Sequence, residues 1–207
     1  MQNDIAHSNA SSNENVNKLF PVFLKLENLR VLLIGAGNVG LEKLQAIVNN
    51  APKTKVKVVA KEITESFSVL ANQYPPIEII NTEYHSSFLD DCDIVISAVN
   101  DLQLSEQIKS DAKQKGKLIN AADKPELCDF YLGSIVTKGN LKIAISTNGK
   151  SPTIAKRLKE TFNKLLPDEL DDILNNIQQI REKLTGDFQH KVKQLNEITK
   201  ILVEEKK

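Results

Sequence analysis

Residues 31–40 read VLLIGAGNVG, and this stretch decides the predicted fold. The apolar run at 31–34 has the length of a buried strand, and apolar side chains recur with helical spacing through residues 39–50. Between them stands a G-x-G-x-x-G turn. In this pattern the first glycine permits a tight turn, the second lets the backbone approach a pyrophosphate, and the third lets the helix pack closely on its strand. The stretch predicts a βα unit that binds a dinucleotide at Gly35, Gly37 and Gly40, and the alternative is a tight turn without a ligand.

The next strand is predicted at Val56–Ala60, and Lys61 and Glu62 follow it. In domains of this type, an acidic residue roughly 20 residues after the glycine turn binds the adenosine ribose hydroxyls of NAD. Glu62 lies slightly late for that role, and Lys61 precedes it. The pair therefore favours NAD as the cofactor, with a solvated Lys-Glu pair as the alternative.

Strand-length and helix-length segments continue to alternate along the chain. Helices are predicted at about 64–74 and 104–115, and strands at 77–81, 93–99 and 117–122. This alternation is typical of an α/β protein with a Rossmann-like, doubly wound parallel sheet.

After Asp123 the pattern changes. Strands at 134–137 and 141–146 predict an antiparallel hairpin, and a helix opens at Ser151 and Pro152 and ends near Leu165. Apolar residues at helical spacing then predict a C-terminal hairpin of two amphipathic helices, at 170–184 and 188–202.

Composition and charge exclude several classes of protein. The 207 residues carry 27 basic and 27 acidic side chains, so no bulk basic field favours nucleic acid or an anionic membrane. No apolar run approaches the roughly 20 residues of a membrane-spanning helix. Two cysteines without a secretory leader predict a cytoplasmic protein, and residues 1–17 predict a disordered polar tail. Three histidines and no C-x-x-C spacing predict no metal site.

Asp123 directly follows the last strand of the predicted parallel sheet. Ligands of open α/β sheets bind beyond the carboxyl ends of the strands. A carboxylate in that place can accept a proton from a ligand beside the nicotinamide. Position alone also allows a turn or helix-capping aspartate.

Two longer strings resemble a known family. Residues 120–130 read NAADKPELCDF, and residues 139–152 read GNLKIAISTNGKSP. With FPVFL at 20–24 and the glycine turn, they resemble the precorrin-2 dehydrogenase and sirohydrochlorin ferrochelatase family, the N-terminal module of siroheme synthase. The resemblance covers about residues 20–166. Gly133 stands where many members carry proline, and Asn148 where many carry a second glycine.

This resemblance implies a Rossmann-like NAD domain, a hairpin-plus-helix region through which two subunits intertwine as a homodimer, and a helical C-terminal region. The expected boundaries here are 18–124, 125–166 and 167–207, after the tail at 1–17. The implied reaction is the NAD-dependent oxidation of precorrin-2 to sirohydrochlorin in siroheme biosynthesis. In many members the same site also inserts ferrous iron as a substrate.

The resemblance also implies roles for individual residues. The family's essential aspartate falls on Asp123, as general base, and its NAD contacts fall on Gly37, Asn38, Val39, Lys61 and Glu62. A tetrapyrrole rich in carboxylates favours cations and helix N-termini. The candidate substrate contacts are Lys124, Lys138, Lys150, Ser151, Lys156 and Arg157. The alternative function is a dimeric regulatory module that senses NAD(H) without catalysis, and such a module would not need Asp123.

Overall fold

The computed structural model describes residues 17–199. The predicted polar tail lies outside the described residues except for Asn17, and so does the end of the last predicted helix. The chain divides into two compact units between Leu132 and Gly133. Within residues 17–199, no helix is long and apolar enough to cross a bilayer.

A five-stranded parallel sheet forms the centre of the first unit. Its strands are β1 (Arg30–Ala36), β2 (Lys55–Ile63), β3 (Ile77–Asn81), β4 (Ile94–Ser97) and β5 (Leu118–Ala121). Helices α1 (Asn38–Asn50), α2 (Glu65–Ala71) and α3 (Leu102–Gln114) connect them. The spatial order is β3-β2-β1-β4-β5, so the strand order reverses beside β1. The predicted Rossmann-like, doubly wound fold is confirmed.

Alternate residues of β1 point into separate cores on the two faces of the sheet. The core beside α1 and α2 contains Leu33, Leu44 and Phe67, and the core beside α3 contains Ile34 and Ile108. A strand that is covered on both faces needs apolar residues at every position. This explains the uninterrupted apolar run that precedes the glycine turn.

Local hydrogen bonds and a proline shift some helix boundaries from the predicted ones. α3 begins at Leu102, earlier than predicted, because the Asp101 carboxylate accepts a hydrogen bond from the Leu104 N–H at 3.0 Å. α2 ends at Ala71, before the predicted end at Tyr74. Pro75 follows Tyr74, and a residue before proline disfavours helical backbone.

The predicted end of β2 at Ala60 is wrong, because this strand continues to Ile63. Ile34 pairs with Val59, but Ala36 pairs with Ile63, so the register shifts opposite Gly35. The residues between Val59 and Ile63 form the shifted segment, which includes Lys61 and Glu62. These residues therefore lie within the strand rather than after it.

Hydrogen bonds from β3 and from Thr64, the N-cap residue of α2, hold this shifted segment. The Asn81 amide donates to the Ala60 carbonyl at 3.0 Å and to the Lys61 carbonyl at 2.8 Å. The Thr64 N–H donates to the Ala36 carbonyl at 3.2 Å. The end of β2 is thus tied to β3 on one side and to the end of β1 on the other.

The second unit begins with the antiparallel hairpin of β6 (Ser134–Lys138) and β7 (Leu141–Ile145). Helix α4 (Pro152–Leu165) packs on β6, and α5 (Leu170–Lys183) and α6 (Phe188–Thr199) contact each other. Among the described residues of this unit, Val136 and Ala155 are the fully buried apolar side chains. The predicted hairpin, the following helix and the C-terminal helices are confirmed.

Candidate functional site

Two of the three glycines in the turn are required by packing, and the third faces open space. Gly35 has φ +101°, and a Cβ there would lie 2.6 Å from the Ala98 carbonyl oxygen. A Cβ on Gly40 would lie 2.2 Å from the Gly35 carbonyl oxygen. A Cβ on Gly37 would meet nothing within 4 Å. Backbone at Gly37 is therefore accessible to a ligand.

The start of α1 offers unpaired backbone donors beside that open space. Gly37 is the N-cap residue, and no side chain caps the helix. The first intrahelical hydrogen bond runs from the Leu41 N–H to the Gly37 carbonyl at 2.9 Å. The N–H groups of Asn38, Val39 and Gly40 precede it, and such groups with the positive end of the helix dipole bind phosphates. The turn fits the pyrophosphate of a dinucleotide.

Lys61 and Glu62 lie opposite Gly35, because the register of β2 shifts there. The Lys61 ammonium pairs with the Glu83 carboxylate at 2.8 Å, and this hydrogen bond raises the pKa of Lys61. Glu62 is exposed and has no ion pair with a described residue. The shifted segment of β2 thus presents an acidic side chain beside the end of β1, where the glycine turn lies.

Asp123 occupies a strained turn at the carboxyl edge of the sheet. Its φ is +59°, in the left-handed region that aspartate tolerates better than most residues. The Lys124 N–H donates to the Ala121 carbonyl at 3.3 Å and closes the turn. The Asp123 side chain is exposed and forms no hydrogen bond with a described residue. Its carboxylate is free to act on a ligand at that edge.

Strand order brings this turn close to the glycine turn. β4 lies between β1 and β5, and all three strands run parallel. The glycine turn follows β1 and the Asp123 turn follows β5, so both lie at the carboxyl edge of the sheet. The Lys124 ammonium donates to the Val99 carbonyl at 2.9 Å, and this bond links the end of β5 to the end of β4.

The predicted substrate contacts of the second unit fall into two groups. Lys150, Ser151, Lys156 and Arg157 lie at the start of α4, where Ser151 Oγ accepts a hydrogen bond from the Ile154 N–H at 3.2 Å. The cations of this group are exposed, with no ion pair to a described residue. Lys138 lies apart from them, at the end of β6.

Lys138 pairs with Asp168, and this hydrogen bond lowers the pKa of that carboxyl. The loop before α4 also contains Asn148 at φ +54°. Asparagine and glycine are the residues that accept this conformation most readily. Asn148 thus occupies a conformation that glycine, the residue of many members of the resembled family, also accepts.

Sequence reasoning assigned no role to Cys128 or Asp129, although both are anchored beside the Asp123 turn. Cys128 Sγ lies 3.1 Å from the Ala121 carbonyl oxygen, and the Asp129 carboxylate accepts a hydrogen bond from the Ile119 N–H at 3.1 Å. They follow Pro125 by three and four residues, and this proline was the available signal, since a proline near a strand end indicates a chain reversal. Among residues 17–199, no group of three His, Cys, Asp or Glu side chains could hold a metal ion.

Comparison with known proteins gives two family matches. Residues 22–134 match the family described as "Putative NAD(P)-binding", and residues 138–165 match the family described as "Sirohaem biosynthesis protein central". The first match covers more than half of the chain and includes every strand of the parallel sheet.

The chain is also similar to curated siroheme synthases. It is 30% identical over 175 residues to that of Mannheimia succiniciproducens, covering 84% of this chain and 34% of the relative. It is 32% identical over 153 residues to that of Buchnera aphidicola subsp. Acyrthosiphon pisum, covering 74% of this chain and 32% of the relative. The chain thus spans about a third of the length of these relatives.

A solved structure described as "SirC, precorrin-2 dehydrogenase" shares the fold. Its TM-score is 0.68 at 20% identity, and the match covers 87% of this chain and 89% of that one. At this identity the likeness extends to the fold and no further.

Proposed function

Because the chain belongs to the precorrin-2 dehydrogenase and siroheme synthase family, with its NAD(P)-binding domain at residues 22–134, we propose that it oxidises precorrin-2 to sirohydrochlorin with NAD. One observation carries the proposal: the uncapped glycine turn and the exposed carboxylate of Asp123 lie at the same edge of the sheet. An empty turn without a ligand would need neither the open space at Gly37 nor a strained aspartate two strands away.

The reaction removes a hydride and a proton from the tetrapyrrole. Bound NAD supplies the hydride acceptor. The backbone at Gly37, together with the N–H groups of Asn38, Val39 and Gly40, would hold the pyrophosphate, and Glu62 would accept hydrogen bonds from the ribose hydroxyls. Asp123 accepts the proton. The chain therefore contributes orientation and a base.

Glu62 and Glu83 favour NAD over NADP. Lys61 is the cation that precedes Glu62 in the sequence, and it already pairs with Glu83. A phosphate on the ribose would meet Glu62 without a free cation to balance it. We expect NAD to bind more tightly than NADP, and calorimetric titration of both nucleotides measures the difference.

The tetrapyrrole binds through cations of the second unit. Lys150, Lys156 and Arg157 are exposed beside the N-terminus of α4, where the helix dipole also favours anions. Charge reversal in Lys150→Glu should raise the KM for the tetrapyrrole and leave the KM for NAD unchanged. An unchanged KM for the tetrapyrrole would remove Lys150 from the contact set.

The active form is a homodimer. Ile154, Leu158 and Leu165 of α4 are 54%, 40% and 71% exposed. Their spacing places them on one face of the helix. A second copy of the chain buries this stripe, and sedimentation analysis of Leu158→Lys against the wild type tests the assignment. Dimers of equal stability in the variant would contradict it.

Anaerobic assay of the full chain with precorrin-2 and NAD tests the dehydrogenase activity. We expect NADH and sirohydrochlorin to form together. Ferrous iron added afterwards tests a second activity at the same site, the insertion of iron to give siroheme, by comparison with the spontaneous rate. Tight NAD binding without turnover would instead favour the regulatory alternative, to which none of the matches reported above points.

A further inference from the structure

The string Leu127-Cys128-Asp129-Phe130 has no part in the reaction proposed above, although it closely follows Asp123. These residues run along the outer side of β5, which is an edge strand of the sheet. In a parallel strand, the N–H and C=O groups of one residue point to the same side, and those of the next residue point to the opposite side. The Ala122 N–H donates to the Ser97 carbonyl at 2.8 Å and so points toward β4. The N–H and C=O groups of Ala121 therefore point away from β4, to the open side of the edge strand.

Residues 128 and 129 provide partners for the outward-facing groups of β5. The Asp129 N–H donates to the Ile119 carbonyl at 2.7 Å, and the Asp129 carboxylate accepts from the Ile119 N–H at 3.1 Å. The Ala121 N–H donates to Cys128 Sγ at 3.2 Å, and the thiol donates to the Ala121 carbonyl at 3.1 Å. Lys109 of α3 binds the other Asp129 oxygen. The edge of β5 is thereby satisfied without another strand.

These contacts meet at the turn that carries Asp123. Ala121 begins this turn and Lys124 ends it. The Cys128 thiol binds both the N–H and the carbonyl of Ala121, and its sulfur lies 3.4 Å from the Lys124 carbonyl oxygen. On the other side, the Lys124 ammonium holds the Val99 carbonyl. The turn is fixed from both sides, while the Asp123 side chain projects freely.

We propose that Cys128 is a positioning residue, whose thiol holds the left-handed turn so that the Asp123 carboxylate stays aligned with the substrate. The inference rests on the proposed role of Asp123 as the base. Cys128 acts through Ala121 and the turn, and it touches no reacting atom. Burial raises the pKa of the Cys128 thiol, so the group keeps its proton and remains a donor.

The test compares Cys128→Ala and Cys128→Ser with Cys92→Ala in the full chain. Cys92 lies in the core beside α3, where its thiol donates to the Leu89 carbonyl at 3.5 Å, so its variant controls for lost core packing. For Cys128→Ala we expect kcat with precorrin-2 to fall by about tenfold to a hundredfold, with the KM for NAD changed by less than about twofold, because a small misplacement of a reacting group has an effect of this size. Cys128→Ser keeps a donor and an acceptor and should restore part of kcat.

Amide hydrogen exchange separates this inference from the proposed function. In Cys128→Ala, the Ala121 and Lys124 amides should exchange faster than in the wild type, and the Leu41 amide in α1 should not. Unchanged exchange at the turn overturns the inference whatever the activity, whereas absence of wild-type turnover overturns the proposed function.

A Cys128→Ala protein with wild-type kcat overturns the positioning role, and so does a loss of NAD affinity in parallel with kcat. If Cys128→Ala fails to fold, Cys128→Ser decides the question. In that variant, faster exchange at the turn with no fall in kcat would overturn the inference.

Discussion

Replacing Gly37 by alanine separates a glycine that binds a ligand from glycines that serve packing. An added Cβ at Gly37 meets no heavy atom within 4 Å, and the φ of −84° there is open to alanine. At Gly40 the added Cβ would lie 2.2 Å from the Gly35 carbonyl oxygen. The same substitution should therefore hardly change stability at Gly37 and should destabilise the fold at Gly40.

Small opposing effects set the stability of Gly37→Ala. Alanine reduces the conformational entropy of the unfolded chain, which stabilises by about 0.4–1 kcal/mol. It is also a poorer N-cap than glycine, which costs roughly 0.5–1 kcal/mol. The free energy of unfolding should thus change by less than about 0.5 kcal/mol, or roughly 2 °C in Tm for a chain of this size. Gly40→Ala should lose about 1–3 kcal/mol or more, because backbone must move.

Binding of NAD should weaken in Gly37→Ala although its stability hardly changes. The methyl group of Gly37→Ala fills the space through which the pyrophosphate approaches the backbone. We expect the Kd for NAD to rise by at least about tenfold, equivalent to about 1.4 kcal/mol. Calorimetric titration and thermal unfolding of the same preparation measure both quantities. Wild-type affinity in Gly37→Ala would refute the placement of the nucleotide at this turn.

Further predictions concern Asp123, Ser97 and Asp93. Asp123→Ala should lower the free energy of unfolding by about 1 kcal/mol, and Asp123→Asn by much less, because asparagine tolerates φ +59°. Equal denaturation midpoints of the two variants would argue against backbone strain at this position. Ser97→Ala should raise the free energy of unfolding by about 1 kcal/mol, because the Ser97 hydroxyl is buried and has no hydrogen-bond partner among the described residues. A lower free energy of unfolding in this variant would show that the hydroxyl does have a partner. Arg30 lowers the pKa of Asp93, so the stability from this carboxylate is present above its ordinary pKa of about 3.9 and is lost as the pH falls through the lowered value. The difference in urea midpoint between wild type and Asp93→Asn should shrink on acidification, and a widening difference would contradict the assignment.

The sequence predicted the sheet well because strand burial and glycine spacing are local properties. A strand covered on both faces must be apolar throughout, which made residues 31–34 recognisable. The G-x-G-x-x-G spacing located the turn after β1. Ser151 and Pro152 located the start of α4, since their roles at a helix N-terminus depend on neighbouring residues alone.

Features that depend on distant residues were not predictable in the same way. The extension of β2 past Ala60 depends on Asn81, whose amide binds carbonyls of a different strand. The ion pair of Lys138 joins it to Asp168, a partner on another element of the second unit. The Cys128 anchor requires β5 to be an edge strand, and strand order is set by the whole sheet.

The sequence indicated which residues belong to the site, but not how they are arranged in space. Position after a strand suggested Asp123, and the family resemblance gave it a role. The left-handed turn that exposes its carboxylate emerges from the structure. No feature of a single sequence distinguishes this conformation from an ordinary capping aspartate.

The most direct measurement is the rate of precorrin-2 oxidation by Asp123→Asn under anaerobic conditions, beside the wild type. Asparagine keeps the size and backbone tolerance of the side chain and removes its capacity to accept a proton. We expect unchanged NAD affinity and thermal stability, with kcat lower by about a hundredfold or more, as for loss of a general base. A variant that forms sirohydrochlorin and NADH at the wild-type rate would contradict the assignment of Asp123 as the base.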